Sequence, residues 1–277
     1  LYRQSGKIID NYINNDYSCH LPQDSEGDLF HLFASVEQLA TMLKAKSETE
    51  HKTKEFLKST ISDISHQLKT PLAALMMYQE IIEAEPDNTE TVKEFSQKTG
   101  IALKRIEQLI LSMLKIARLD TGNILFDRRA CYVQELVKNA ISELTTRATQ
   151  EKKQIIVNGT SNQAIMCDMD WTSEAIGNLV KNALDHTEIG GIVKITWEST
   201  PTMIRILVSD NGSGIAPEDI HHIFKRFYRS KYSLNTPGIG LGLPLAKSII
   251  EGQGGLISVQ SVLHEGTTFS VSFLTKS

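Results

Sequence analysis

The sequence has no long apolar run, no excess of basic charge and no closely spaced cysteines. No stretch reaches the roughly 18 apolar residues of a membrane-spanning helix, and no signal peptide is visible. A net charge of -4 argues against nucleic-acid binding as the main role. Cys19, Cys131 and Cys167 are odd in number and far apart, which excludes a CxxC motif and favours a reducing, cytosolic compartment.

The remaining composition bounds the size of the fold. The chain has 277 residues, 40% of them hydrophobic, which is enough core for about two domains. It begins at Leu1 without a methionine. We therefore expect the cytosolic part of a longer protein whose membrane segment lies upstream.

The first part of the chain carries two helical seams. Spacings of three and four define the first seam, which comprises Leu29, Leu32, Val36, Leu39 and Leu43. A second seam starts at Leu57, four residues out of step with the first, which is a stutter. The charged residues between the seams are either a solvated helical surface or a transmission element.

Residues 52–121 are predicted to form a helical hairpin. Ala84–Asn88 make its turn, and Asn88 or Thr89 is the candidate N-cap of the returning helix. That helix carries an apolar stripe, which comprises Val92, Phe95, Thr99, Ala102, Ile106, Leu109, Met113 and Ile116. A single hairpin would leave apolar surface in water, so we predict a homodimer in which two hairpins form a four-helix bundle.

The pattern changes to mixed α/β from about Gly122. Runs rich in β-branched residues predict strands at 154–157, 191–198, 203–209, 256–261 and 267–274. Helical runs are predicted at 132–146, 170–186 and 241–251. The predicted fold class is therefore multidomain, an α-helical hairpin followed by an α/β domain.

The segment Ser65–Leu72 presents a histidine beside a proline. His66 lies two residues after Ile64 and two before Leu68, which both belong to the second seam, so it points into water. Pro71 removes a backbone donor and kinks the helix, at a cost of roughly 3 kcal/mol.

Two glycine-rich turns follow in the α/β half. Asp210-Asn211-Gly212-Ser213-Gly214 comes after a strand, where glycines admit a ligand close to the backbone and Asp210 can accept from an exocyclic amine such as that of adenine. Gly238–Leu243 opens a helix, whose N-terminal amides favour phosphate. The second turn has neither the Walker nor the Rossmann spacing, and the first turn taken alone is more often only a turn.

Two asparagines lie on one helical face near these turns. Asn178 and Asn182 are four residues apart, and amide oxygens suit Mg²⁺. Without further context such a pair is more often a surface or capping feature.

In this order the pieces resemble the sensor histidine kinases. The ATP-binding domain of these kinases is related to gyrase, Hsp90 and MutL ATPases and carries motifs called the N, G1, F, G2 and G3 boxes. Five segments of this chain resemble those boxes, in that order: Asn178-Leu-Val-Lys-Asn182-Ala, Asp210-x-Gly212-x-Gly214-Ile, Phe224-Lys-Arg-Phe-Tyr-Arg229, Gly238-Ile-Gly-Leu-Gly-Leu243 and Gly266-Thr-Thr-Phe269. Ser65–Leu72 resembles their H box, and Leu29–Leu43 resembles the second helix of a HAMP linker. The resemblance implies a HAMP-like linker over 1–51, a dimerisation and phosphotransfer hairpin over 52–121, and an ATP-binding catalytic domain of the histidine kinase/Hsp90-like sandwich type over 122–277.

The resemblance also implies roles for individual residues, with ATP and Mg²⁺ as cofactors. His66 accepts the γ-phosphoryl group, and Arg229 stabilises the charge that develops on it. Asp210 recognises adenine, and 230–237 form a mobile lid over ATP. Asn182 is the metal ligand expected first. The other cofactor-binding positions are Asn178, Lys181, Gly212, Gly214, Gly238, Gly240, Leu241, Gly242 and Thr268.

Three positions near these motifs need separate comment. Family members typically have glutamate or aspartate directly after the histidine, whereas this chain has Gln67. A glutamine side chain can orient the imidazole but cannot take its proton. Thr70 matches the residue that positions water for dephosphorylating the partner regulator. Asp185 replaces a basic residue, so Lys181 or Arg229 is expected to neutralise phosphate instead.

The resemblance favours an ATP:protein-histidine phosphotransferase. We expect a membrane-linked homodimer that passes phosphate from His66 to an aspartate of a cognate response regulator and also acts as a phosphatase. Because Gln67 replaces the usual acid, the alternative is a nucleotide-binding scaffold that mainly dephosphorylates or sequesters the regulator. A gyrase- or MutL-like ATPase is a third interpretation, but the chain has no transducer domain.

Overall fold

A computed structural model describes residues 2–14, 16–21, 27–121, 124–159, 163–231 and 238–274. The chain forms two compact units, Leu1–Thr70 and Pro71–Ser277. Of the helices in the described ranges, none combines the length and the apolar content that crossing a membrane requires.

The first unit packs helix α1 (Tyr2–Ile13) against the start of helix α2 (Asp28–Ala84). Its core comprises Ile8, Tyr12, Leu21, Phe33 and Ala40, with Leu29 and Val36 packed at its border. The seam predicted over Leu29–Leu43 is therefore covered only in part within this unit. A helix that contacts a single neighbour buries one 3.6-residue face. Here that face includes Phe33 and Ala40 and leaves Leu32, Leu39 and Leu43 exposed.

Helix α2 is continuous through the charged stretch between its two seams and through Pro71. The turn after Ala84 leads into helix α3 (Thr89–Asp120). The Asn88 side chain accepts a hydrogen bond from the Thr91 amide at 3.3 Å, so Asn88, one of the two predicted candidates, is the N-cap. Tyr78 and Phe95 join the two arms, with ring centroids 5.5 Å apart. The predicted stripe is the less exposed face of α3, and Leu109 and Ile116 are buried.

The rest of the second unit is an α/β sandwich, as predicted. Its elements are β1 (Arg129–Tyr132), α4 (Val133–Ile141), α5 (Leu144–Gln150), β2 (Gln154–Gly159), β3 (Ala164–Cys167), α6 (Met169–His186), β4 (Ile192–Ser199), β5 (Met203–Asp210), α7 (Gly242–Gly252), β6 (Leu256–Val262) and β7 (Gly266–Leu274). A five-stranded sheet has the order β2-β4-β5-β7-β6, in which only the β2–β4 pair is parallel. Strands β1 and β3 form a separate antiparallel pair.

The core lies between the large sheet and the helices α4, α6 and α7. Alternate residues of the inner strands are buried, as the period of two in a strand requires: Val193, Ile195, Ile204, Ile206, Val208, Phe269, Val271 and Phe273. On α6, the buried face includes Ile176, Leu179, Val180 and Ala183. This packing fixes the N-box helix against the strands that lead into the G1 and G3 boxes.

Two ion pairs tie the end of α3 to this sandwich. The Lys115 ammonium lies 2.5 Å from the Glu174 carboxylate on α6, and the Arg226 guanidinium lies 2.6 Å from the Asp120 carboxylate. The ends of the hairpin and of the N-box helix are therefore held together within the second unit.

The three cysteines are free thiols. Cys131 and Cys167 are buried in the β1–β3 pair, where the Cys131 sulfur is 3.4 Å from the carbonyl oxygen of Cys167. Burial raises the pKa of the Cys167 thiol to about 12. Cys19 is exposed in the first unit.

Candidate nucleotide site and phospho-acceptor helix

The G1 turn begins with a desolvated carboxylate at the end of β5. Asp210 Oδ1 accepts from the Gly212 amide at 2.9 Å and from the Thr267 amide at 3.3 Å. Burial raises the pKa of Asp210, although these two hydrogen bonds oppose it. Neither bond uses Oδ2. The arrangement fits a fixed acceptor for a neutral donor such as an amino group.

The glycines of the G1 turn are required by backbone packing. A Cβ at Gly212 would lie 2.2 Å from the carbonyl oxygen of His186, and one at Gly214 would lie 2.0 Å from that of Val262. Gly214 also has a φ of 65°, which favours glycine. Close approach of a ligand to this turn stays a prediction, and the structure shows protein backbone where a side chain at either position would lie.

Strand β7 brings the G3 box beside the G1 turn. Thr268 pairs with Ser209, and its hydroxyl donates to the Ser209 hydroxyl at 2.9 Å. A Cβ at Gly266 would lie 2.0 Å from the carbonyl oxygen of Asp210. The structure therefore places Asp210, Gly212, Gly214 and Thr268 together at one end of the sheet.

The N and G2 boxes meet where α6 passes the start of α7. Asn178 donates to the Glu174 carbonyl at 3.1 Å, and its Oδ1 is 3.3 Å from the Cβ position of Gly242. Asn182 is half-buried one turn later, and Lys181 is exposed. The Asn178 amide oxygen thus lies beside the first turn of α7, whose backbone amides favour anions.

The other G2 positions differ in exposure. Leu241 is only 3% exposed, so its side chain belongs to the core and only its backbone can face a ligand. Gly238 is exposed, and no atom of the described residues beyond its chain neighbours lies within 4 Å of its Cβ position. Among the described residues, no group of three or more His, Cys, Asp or Glu side chains could hold a metal ion. Amide oxygens, phosphates and water form a ligand combination that Mg²⁺ accepts.

The F box lies directly against the G2 turn. The Phe227 amide donates to the Gly240 carbonyl at 2.9 Å. Arg229 follows two residues later and is half-buried, and burial together with the charge of Arg105 lowers its pKa. Residues 232–237 of the predicted lid lie outside the described residues.

His186, which the sequence analysis did not include among the site residues, lies beside the G1 turn. Burial and, to a smaller degree, the nearby Arg229 charge lower the pKa of His186, although Asp185 opposes them. Its carbonyl also accepts from the Ser213 amide at 3.0 Å. The carbonyl of His186 therefore links the end of α6 to the G1 turn. The signal available in the sequence was its place immediately after Asp185 at the end of the N-box helix.

Asp185 belongs to an ion-pair network with α5. The Arg147 guanidinium lies 2.5 Å from the Asp185 carboxylate and 2.6 Å from that of Glu151. Lys153 also pairs with Glu151 at 2.6 Å and donates to the Leu184 carbonyl at 2.8 Å. The carboxylate at 185 therefore anchors the end of α6 to α5.

We expect Glu151→Gln to destabilise the fold at neutral pH and to have little effect in acid. The hydrogen bonds from Lys153 and Arg147 lower the pKa of Glu151 below its ordinary 4.5, so this stabilisation is present above that pH and is lost as the pH falls through the lowered value. We expect the free energy of unfolding at pH 7 to fall by about 1 kcal/mol, a value that allows for the partial exposure of Glu151 to solvent. Urea unfolding at pH 7 and pH 3 measures it, with exposed Glu143→Gln as the control. An equal loss at both pH values would contradict it.

The phospho-acceptor candidate lies on α2, in the first unit. His66 is exposed there, as predicted. The Thr70 hydroxyl, one turn later, contacts the His66 carbonyl at 3.4 Å, and Gln67 is half-buried. Pro71 has no amide to donate to the Gln67 carbonyl.

Two family models match successive parts of the chain. The sequence profile of the His Kinase A (phospho-acceptor) domain matches residues 56–122, and that of the histidine kinase-, DNA gyrase B- and HSP90-like ATPase matches 167–277. The sensor-like histidine kinase SenX3 of Mycobacterium tuberculosis is 31% identical over 214 residues, which are 76% of this chain and 52% of SenX3. The sensor protein SrrB of Staphylococcus aureus is 30% identical over 231 residues, 80% of this chain and 39% of SrrB.

A solved structure shares the fold. The histidine kinase ThkA, solved in complex with the response regulator protein TrrA, superposes with a TM-score of 0.67 at 21% identity, over 83% of this chain and 66% of that one. The chain spans about half the length, or less, of the two curated relatives.

Proposed function

Because this chain belongs to the two-component sensor histidine kinases, we propose that it transfers the γ-phosphoryl group of ATP to His66 and passes it to an aspartate of a response regulator. The observation that carries the proposal is the meeting of the G1, G3, N and G2 boxes at one end of the sheet, in a chain that also displays an exposed H-box histidine. We assign 52–121 to the phosphotransfer hairpin and 122–277 to the catalytic domain, with a HAMP-like linker over 1–51.

The nucleotide would bind with its adenine at Asp210 and its phosphates at α7. Asp210 accepts from the adenine amino group, with Thr268 beside it. Backbone amides of Gly238–Gly242 contact the phosphates at the helix N-terminus. Mg²⁺, held by Asn182 with Asn178 and Lys181 near it, would supply charge neutralisation at the phosphates.

The phosphoryl step forms a bond between an imidazole nitrogen of His66 and the γ-phosphorus while the bond to the ADP oxygen breaks. Neutral imidazole has a lone pair for this attack, and exposure on α2 leaves it accessible to a donor. Arg229 supplies a positive charge for the transferring group, and its burial makes that charge more effective.

We also propose that the chain acts as a homodimer in the cytoplasm as part of a membrane-anchored sensor. Its hairpin leaves large apolar side chains in water, which a second hairpin would cover: Leu57, Ile61, Leu72, Met76, Ile110 and Leu114. Cytoplasmic ATP and regulator must both reach it.

Gln67→Glu should accelerate autophosphorylation, because a carboxylate beside His66 can take a proton that an amide cannot. We expect the initial rate to rise at least about tenfold, because a well-positioned general base typically contributes roughly 100-fold or more. Phosphohistidine formation over time measures the rate, with exposed Gln79→Glu on the same helix as the matched control. A rate equal to that of wild type would show that Gln67 does not limit the reaction.

Thr70 supports a second activity, dephosphorylation of the regulator. Its hydroxyl lies one turn from His66 on an exposed part of α2, where it could orient a water molecule. The scaffold alternative, with phosphatase activity but a weak kinase, predicts that Thr70→Ala slows release of phosphate from the phosphorylated regulator.

Incubation with γ-labelled ATP and Mg²⁺ tests the proposal. We expect acid-labile, base-stable label on the chain, followed by transfer to the receiver domain of a response regulator. Tight ATP binding without any label would favour the scaffold.

A further inference from the structure

A buried carboxylate between the G1 and F boxes has no place in the nucleotide site described above. Asp219 is only 8% exposed, and its Oδ1 accepts a hydrogen bond from the Tyr228 hydroxyl. The Ser230 hydroxyl is a second partner and contributes most to lowering the pKa of Asp219, ahead of Tyr228. Hydrogen bonds to a charged, buried acceptor are among the stronger ones, so Asp219 holds the end of the F box firmly.

The backbone that Asp219 holds is strained. Phe227 has a φ of 61°, a left-handed conformation that is rare for a bulky side chain. Such conformations persist only where the surrounding contacts impose them. The contacts here are the Tyr228 hydroxyl on Asp219, the His222 ring at 5.5 Å from the Tyr228 ring, and the Tyr228 amide at 3.3 Å from the Lys225 carbonyl.

The strained segment is in backbone contact with the G2 turn. Phe227 donates to the Gly240 carbonyl at 2.9 Å. Gly240 has a φ of 74°, and a Cβ there would lie 2.8 Å from the carbonyl oxygen of Tyr228. The position of Tyr228 therefore constrains both the turn before α7 and Arg229, the next residue along the chain.

We propose that Asp219 is a positioning residue for phosphoryl transfer. By holding the hydroxyls of Tyr228 and Ser230, it sets the place of Arg229 relative to the phosphate-facing turn. It acts through these residues and does not itself touch the reacting atoms. The inference rests on the proposed function, since the placement of Arg229 matters only if ATP reacts at this site.

Two variants remove the contact from opposite sides. Tyr228→Phe deletes only the hydroxyl, and Asp219→Ala deletes the acceptor, whereas Asp219→Asn keeps an acceptor oxygen. We expect kcat for autophosphorylation to fall about 10- to 100-fold in the first two, because small displacements of a catalytic group have effects of that size. Asp219→Asn should retain an intermediate rate. The KM for ATP should change less than about threefold, since Asp210 and Thr268 lie on other elements.

The controls are Tyr132→Phe and Asp87→Asn, at exposed positions, together with thermal unfolding of each variant. If the Asp219→Ala variant does not fold, the nearly isosteric Tyr228→Phe variant decides whether the contact affects kcat. In a double-mutant cycle, Tyr228→Phe should slow the Arg229→Ala chain no further, because the hydroxyl acts through Arg229.

Different results separate the two proposals. A wild-type chain without acid-labile label overturns the proposed function and this inference with it. A labelled wild type with unchanged kcat in both variants overturns only the role of Asp219. Additive losses in the double-mutant cycle, or a KM that rises as much as kcat falls, would also overturn it, because they indicate a general structural role.

Discussion

Replacing His66 with glutamine should abolish phosphate incorporation from γ-labelled ATP and leave ATP affinity unchanged. Glutamine preserves much of the side-chain volume and a polar end but has no imidazole nitrogen to form the bond to phosphorus. We expect the labelling rate to fall at least about a thousandfold, the scale seen when a nucleophile is removed. His66 is exposed on α2, so the fold should lose little stability.

The matched control is His51→Gln, an exposed histidine on the same helix. It should label like wild type, which separates loss of the acceptor from a general effect on α2. Label that persists at the wild-type rate in the His66 variant would assign the acceptor to another residue. Equal ATP affinity, measured by calorimetry, completes the test.

The second large effect is expected at Asp210, where asparagine should weaken ATP binding by about a hundredfold or more. If the asparagine oxygen keeps the hydrogen bonds from the Gly212 and Thr267 amides, the asparagine NH₂ group takes the place of Oδ2. Two donors, this NH₂ group and the adenine amino group, then face each other. An unpaired donor at a buried recognition site accounts for discrimination of this size.

The fold should tolerate this substitution at Asp210. Burial raises the pKa of the Asp210 carboxyl. The charged carboxylate therefore lowers the free energy of unfolding at pH values above its ordinary titration range. A neutral amide at this position removes that cost. Thermal unfolding at pH 7 should therefore show a midpoint no lower than wild type. Calorimetric titration with ATP measures affinity, and exposed Asp170→Asn serves as the control. Unchanged affinity would place adenine recognition elsewhere.

The strands and the hairpin could be predicted from sequence because their patterns are local. Alternation in β4, β5 and β7 and the three–four spacing of α3 each follow from a single element packing one face. Strands β1 and β3 were missed because each has only four residues, too few for a period to show. The helix predicted over 132–146 is interrupted between α4 and α5 without a glycine or proline to mark the break.

The parts of the site that sequence did not predict depend on contacts between distant residues. Asp185 was considered only as a missing phosphate ligand, and its partner Arg147 is 38 residues away on α5. Asp219 and Tyr228 are nine residues apart in an irregular segment, so no helical or strand period relates them. Motif positions gave the residues of the boxes, but tertiary packing decides which side chains face a ligand and which, like Leu241, face the core.

The distribution of the thiols makes the chain suitable for spectroscopic labelling without mutagenesis. A maleimide reagent needs access to the sulfur atom, and Cys19 is exposed, whereas Cys131 and Cys167 are buried within the β1–β3 pair. One spin label or fluorophore per folded chain would therefore report on the first unit alone. In a homodimer the two labels would form a symmetric pair, and the distance between them would follow any rearrangement of the N-terminal helices as ATP binds and His66 is phosphorylated.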